Sequence, residues 1–220
     1  MAYRKKISRR VRDHYEAAWR KRDPWDLTDC EFEQRRYAHL LSVVADRRYP
    51  RVLELGCGSG GLTCLLAGVA DHVLAVDVAP SAVDKARAYT SEATPGIIEL
   101  RAADIMMFNL EAEGPWDLIV LTEAIYCIGW LHSFFDVAYL AARLFEVTTA
   151  DGRLLLSNTY GQQNKDWLLQ PYVVDTYRDL FRNVGYGIEA EHIYKGTKHG
   201  VELSVLVSLF VKTLSGKGSG

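Results

Sequence analysis

Val52-Leu53-Glu54-Leu55-Gly56-Cys57-Gly58-Ser59-Gly60-Gly61 is the stretch on which the fold turns. An apolar run with β character ends in a glycine-rich turn, and a helical pattern, Leu62 to Gly68, follows at once. Glycines let the backbone turn tightly and approach a ligand closely, because no Cβ is in the way. The next helix offers free N–H groups at its first turn. Gly56, Gly58 and Gly61 satisfy the spacing G-x-G-x-x-G, and Asp77 lies about 20 residues further on, where a ribose-binding acid belongs.

That spacing alone suits a nicotinamide dinucleotide and S-adenosylmethionine (SAM) equally. Glu54 separates them. An acid two residues before the first glycine repels a pyrophosphate but suits a ligand carrying an ammonium group, as SAM does. The block Glu54-Leu-Gly-Cys-Gly-Ser-Gly60 resembles the glycine-rich motif of class I SAM-dependent methyltransferases.

Outward from this block the chain alternates strands and helices. Val52–Leu55, His72–Asp77, Gly96–Arg101, Trp116–Leu121 and Arg153–Ser157 read as strands, several of them almost wholly apolar, as strands covered on both faces are. Leu62–Gly68, Pro80 to about Tyr89, Leu131–Val147 and Thr176–Asn183 read as helices. In the third of these, Leu131, Phe134, Phe135, Ala138, Ala141, Ala142 and Phe145 share a face. Alternation of this kind predicts a doubly wound parallel α/β sheet. Tyr186–Tyr194 and Val201–Lys212 read as a terminal hairpin, which makes the last strand antiparallel. The resemblance implies a Rossmann-like sheet of seven strands in the order 3-2-1-4-5-7-6, strand 7 reversed. Ahead of the sheet, a basic helix over Arg4–Arg22 carries Val11, Tyr15 and Trp19 on one stripe, Asp23-Pro24-Trp25-Asp26 breaks it, and a second helix runs from Glu31 to Arg48 with Phe32, Leu40, Leu41 and Val44 inward. Residues 1–214 are expected to form one domain, with 1–48 as a helical cover and 215–220 as a flexible tail.

Composition sets limits. The 220 residues are ordinarily globular and carry a net charge of −2, so no global field draws the chain to nucleic acid. No apolar run is long enough to span a bilayer, and the basic start lacks the apolar core of a secretory signal. Cys30, Cys57, Cys64 and Cys127 are scattered, suggesting reduced thiols in a cytoplasmic protein and neither a disulfide framework nor a metal site. A monomer or weak homodimer acting on a small-molecule acceptor is expected.

Ligands of open α/β sheets bind beyond the carboxyl ends of the strands, where the strand order reverses. Gly56, Gly58 and Gly60 can lie against the amino-acid part of SAM, and Asp77 with Val78 ends the second strand, its two carboxylate oxygens matching a ribose diol. By the resemblance, Ala103-Asp104-Ile105 is an adenine block, Asp104 taking the amino group and Ile105 covering the ring. Thr122 and Glu123 end the fourth strand at the transfer point. SAM brings an activated methyl, so the protein has to align the acceptor, exclude water and manage one proton. Glu123 is the first candidate for that proton, and His132 the second. Tyr15, Trp25 and Tyr126 can pack about a sulfonium, whose charge favours π faces. Asn158 and Tyr160 end in the same crevice.

A longer likeness covers most of the first two-thirds of the chain. Asp23-Pro24-Trp25, Phe32-Glu33, Arg35-Arg36, the glycine block, and Trp116-Asp117-Leu-Ile-Val-Leu-Thr-Glu123-Ala-Ile-Tyr126 together resemble the nodulation protein S family. The resemblance implies N-methylation of the glucosamine end of a chitooligosaccharide. It places Trp25, Glu33 and Arg36 in the cover, and Glu123 and Tyr126 at the transfer site. No matching motif appears from Tyr160 to His199, so O-methylation of another small molecule stays open. A nucleic-acid methyltransferase would carry an Asn/Asp-Pro-Pro-aromatic turn where this chain has Thr122-Glu-Ala-Ile-Tyr126.

Overall fold

A computed structural model describes residues 2–21, 23–91, 96–161 and 167–213. The expected tail, 215–220, lies outside the described residues. Seven strands form one sheet: β1 (Tyr49–Leu55), β2 (Ala70–Asp77), β3 (Ile98–Ala102), β4 (Trp116–Thr122), β5 (Thr148–Thr159), β6 (Gly187–Lys198) and β7 (Val201–Val211). Their order is β3-β2-β1-β4-β5-β7-β6, with β7 antiparallel to both neighbours and the other pairs parallel. This is the expected class I methyltransferase sheet. The helices are α1 (Ala2–Trp19), α2 (Glu31–Val44), α3 (Gly61–Leu66), α4 (Pro80–Thr90), α5 (Leu110–Glu113), α6 (Ile125–Leu131), α7 (Phe134–Val147) and α8 (Pro171–Asn183).

The two-residue period of the strands divides the core between the sheet's faces. Leu53, Leu55, Ile119, Leu121, Leu154 and Leu156 point toward α7 and α8. Val52, Val73, Ala75, Leu118, Val120 and Leu155 point toward α2 and α3. Glu54 falls in the second register and turns toward α3.

Sequence and structure differ in places that bear on the site. The single helix expected over Leu131–Val147 is two, because the Ser133 hydroxyl accepts from the Asp136 amide and starts α7 afresh. The buried face of α7 is therefore Val137, Leu140, Ala141, Leu144 and Val147, while Phe134 and Phe135 are exposed. The segment is apolar on both stripes, so periodicity could not choose between them. α2 stops at Val44, short of Arg48, and buries Glu33 and Arg36 beside Phe32, Leu40 and Val44.

Candidate active site

β1 and β4 lie side by side, with Glu54 in register with Val120, so their carboxyl ends open into one crevice at the reversal of strand order. The glycine turn that leaves β1 is held by the Gly56 amide donating to the Val76 carbonyl at 2.8 Å. Gly60 is the N-cap of α3 in the left-handed region, at φ 85°, and a Cβ there would stand 3.0 Å from the backbone of Ala86. Only glycine fits. A Cβ on Gly58 would instead meet Trp19 and Leu27 at 3.3 Å, so this glycine faces α1 and the linker that follows it. The side Gly56 leaves bare looks at Ala124, just past the end of β4.

Three acids stand at or just past the ends of β1, β2 and β3. Glu54 is buried, its carboxyl accepting from the Thr63 hydroxyl at 2.5 Å. Desolvation, with Asp77 nearby, pushes its pKa up to about 8. Asp77 accepts from the amides of Gly58 (3.0 Å) and Ala79 (2.9 Å), one at each oxygen. Burial still raises its pKa, against the pull of those N–H groups. Each Asp77 oxygen keeps an acceptor position. Asp104, after β3, accepts from the Met106 amide with one oxygen, while its other oxygen is buried with no partner. Ile105 beside it is buried, and Val78 is half-buried after Asp77.

These features fit SAM on the structure's own terms. A buried acid beside a second buried acid lacks a counter-cation, which an ammonium supplies. A carboxylate with a free acceptor on each oxygen matches a diol. An orphaned buried oxygen matches an amino group.

Glu123 stands at the end of β4, next to Thr122, with its backbone in the left-handed region at φ 50°. That conformation is costly for a residue with a Cβ, and the Glu123 amide's 2.8 Å bond to the Ser157 carbonyl holds it. Its Oε1 accepts from Arg36 (3.4 Å) and from the Thr159 hydroxyl (3.1 Å). Its Oε2 accepts from the Tyr126 hydroxyl at 3.0 Å. A carboxylate has about four acceptor positions. Two are taken at Oε1 and one at Oε2, which leaves one at Oε2. Arg36 is buried and also donates to Glu33, at 2.8 Å from Nε and 2.6 Å from Nη2. Glu33 in turn pairs with Lys198 at 2.7 Å. Burial and the Glu123 charge both hold the Tyr126 hydroxyl protonated well past its ordinary range.

α1 lies across the ends of β1 and β2. Trp19 is buried against Ala79 and Ala82, with Tyr15 and Leu27 beside it. Glu16 fastens the helix by accepting from the amide and the hydroxyl of Ser81 at the start of α4. Burial, with Cys127 and Asp77 nearby, raises the Tyr15 pKa. The Trp25 ring lies 5.5 Å from that of Trp19 and 6.2 Å from that of Tyr15.

The structure therefore gathers Glu54, Gly56, Gly58, Gly60, Asp77, Val78, Tyr15 and Trp25 around the glycine turn, and Thr122, Glu123 and Tyr126 beside it. His132 caps the far end of α6, a helix length of about 10 Å beyond Glu123, which takes its carboxylate bonds from Arg36, Thr159 and Tyr126. Asn158 is buried with its carbonyl oxygen unpartnered, whereas the Tyr160 hydroxyl is turned to Asp175. Trp19 and Thr159 were not singled out in the sequence as site residues. Trp19 reads there as part of an ordinary packing stripe, and Thr159 lies beyond the expected end of its strand.

The model of a family described as Nodulation protein S (NodS) matches residues 8–208. Nodulation protein S of Rhizobium tropici is 27% identical over 146 residues, which span 66% of this chain and 58% of that protein. The protein of the same name from Bradyrhizobium diazoefficiens is 29% identical over 146 residues, 66% of each. The matched stretch is thus somewhat under two-thirds of these relatives' length. The crystal structure of the N-methyltransferase NodS from Bradyrhizobium japonicum WM9, in complex with S-adenosyl-L-homocysteine, superimposes with a TM-score of 0.73 at 21% identity, over 92% of this chain and 98% of that one. On the extent of the family match, this chain belongs to the nodulation protein S family.

Proposed function

We propose that this protein is a SAM-dependent N-methyltransferase whose acceptor is the amino group of an amino sugar or short oligosaccharide. The observation that carries the reading is the Glu123 carboxylate, which is filled by donors except for one position at Oε2 and stands next to the glycine turn. When bound, SAM supplies a methyl group on a positively charged sulfur. Glu54 receives its ammonium, Asp77 its ribose and Asp104 its base. Glu123 accepts an N–H of the acceptor's ammonium form at the open Oε2 position and takes up that proton, which leaves the neutral amine with its lone pair free to attack the methyl group. Arg36, Thr159 and Tyr126 keep that carboxylate aimed. A hydroxyl acceptor would ask for a stronger base than a carboxylate.

Residues 1–214 act as one methyltransferase unit in this reading, and 1–48 serve as its cover. The support is Trp19 against Gly58 and the Glu16–Ser81 clasp, which place α1 where it excludes water. The structural neighbour from Bradyrhizobium japonicum is an N-methyltransferase, and the sequence resemblance points the same way, which is why the amine is preferred to the hydroxyl.

The test is a mass-spectrometric assay with SAM and a panel of glucosamine-ended chitooligosaccharides, their N-acetylated forms and simple phenols. Methylation confined to the free amines is expected. Methylation of phenols alone would overturn the amine, and failure to bind S-adenosylhomocysteine by calorimetry would overturn the cofactor.

A further inference from the structure

Away from the crevice, the linker between α1 and α2 meets the tip of the β6–β7 hairpin. Asp26, Cys30 and His199 converge there, each offering one ligand atom within 4.8 Å of the others. Asp26 Oδ2 and His199 Nε2 are 3.3 Å apart. That equals the separation of about 3.3 Å between two ligand atoms placed tetrahedrally at 2.0–2.1 Å from zinc. Cys30 is the N-cap of α2, with extended backbone angles and no side-chain hydrogen bond to the helix, so its sulfur is not committed to capping.

We propose that Asp26, Cys30 and His199 form a binding site for a borderline divalent transition cation, zinc in the first instance. The donor set argues for the ion class. Sulfur and imidazole nitrogen exclude magnesium and calcium, which take oxygen, and a carboxylate completes the mixed set that zinc accepts. Charge balances as well. A carboxylate and a thiolate offset the ion's two positive charges, and the thiol proton leaves to solvent when the metal binds. His199 binds through Nε2 as the neutral ring, its proton on Nδ1. The neighbouring cations do not compete for the site: Lys198 is paired with Glu33 and Arg35 with Glu31. Beside the ligands lies a cleft of about 260 Å³ that both Cys30 and His199 line, giving room for a water as the fourth ligand.

The sequence hides this site. Cys30 and Asp26 are close in the chain, but His199 arrives from the hairpin, so no metal spacing is legible and none was expected. In the fold the ion would tie the linker to the sheet one residue from Lys198, which already holds the Trp25 carbonyl at 2.6 Å and Glu33 at 2.7 Å. It is thus a staple for the N-terminal cover, independent of what the enzyme methylates.

The experiment uses the full chain, stripped with a chelator and dialysed, then titrated with Zn²⁺ by calorimetry and with Co²⁺ by absorbance. The wild type is expected to bind one equivalent and to give a near-ultraviolet thiolate-to-cobalt charge-transfer band. Cys30→Ser should abolish the band, and His199→Gln, at an exposed position, should weaken binding at least ten-fold. Cys64→Ser should change neither. A flat titration of the wild type would overturn the site, as would a band that survives in Cys30→Ser or affinity unchanged in His199→Gln.

Discussion

Arg36 Nη1 lies 3.4 Å from Glu123 Oε1, although 87 residues separate the two in the chain. The same guanidinium grips Glu33, so one buried cation serves two acids, one from the cover helix and one from the end of β4. Burial works against the charge, but Glu123, Tyr37 and Glu33 outweigh it and keep Arg36 ionised. Arg36→Met would leave Glu123 without its cation and Glu33 with Lys198 alone. The expected loss is about 3–5 kcal/mol of stability, the scale for breaking a buried pair, read from urea unfolding. A loss under about 1 kcal/mol would mean that solvent already screens the pair.

The proton-acceptor role proposed for Glu123 separates cleanly from binding. Glu123→Gln keeps the shape and the Tyr126 contact but cannot take a proton. Turnover should fall about 10²–10⁴-fold, the usual worth of a positioned base, while SAM affinity stays within a few-fold. Steady-state kinetics beside calorimetry reads both, and an equal fall in the two would make Glu123 a cofactor ligand only.

Asp77→Ala removes two bonded acceptor oxygens from the glycine turn. SAM affinity should weaken by about 1–3 kcal/mol, the scale for hydrogen bonds to a charged group. Because the Gly58 and Ala79 amides also lose their partner, stability should fall as well. Calorimetry returning an unchanged affinity would remove Asp77 from the ribose position.

How much of this was legible beforehand follows from the range of each interaction. The βα order and the glycine turn are local, carried by period, apolar runs and a few residues with special backbone needs, and the strand order came with the resemblance. The places of Glu54, Asp77 and Glu123 at or next to strand ends could be read from the sequence. The partners of Glu123 could not, since Arg36 and Thr159 come from separate elements and only the folded chain brings them together. His132, picked for its nearness to β4 in sequence, stands at the far end of α6. Trp19 looked like any apolar helix residue, and its target, the bare backbone of Gly58, has no side chain to advertise it.

Trp19→Ala tests the cover. The ring is 2% exposed and packs on Ala79 and Ala82. Truncating a buried tryptophan costs about 3–5 kcal/mol, more than a peripheral helix can be expected to hold by itself. α1 should therefore open locally while the sheet stays folded. Hydrogen exchange should show protection lost over residues 6–20 and kept in β1 and β4. If protection fell equally in all three, α1 would be part of the global folding unit and could not move as a cover.

Glu54 gives the sharpest expectation because stability and function pull in opposite directions there. Its pKa is about 8 in the folded chain against an ordinary 4.5. Below 4.5 both states hold the proton and the residue contributes no pH dependence. Between 4.5 and 8 the unfolded chain releases it and the folded chain does not, so stability falls as the pH rises, levelling off above about 8. Glu54→Gln removes this loss, and the amide oxygen of the substituted side chain can still accept from Thr63. The variant should match the wild type near pH 5 and exceed it near pH 8, by on the order of a few kcal/mol, while binding SAM less well. In the wild type the SAM ammonium should draw the carboxyl into its ionised form, so binding at pH 7 should release a proton. Calorimetry in two buffers of different ionisation enthalpy measures that release directly. A heat of binding independent of buffer, in wild type and variant alike, would place the ammonium elsewhere than at Glu54.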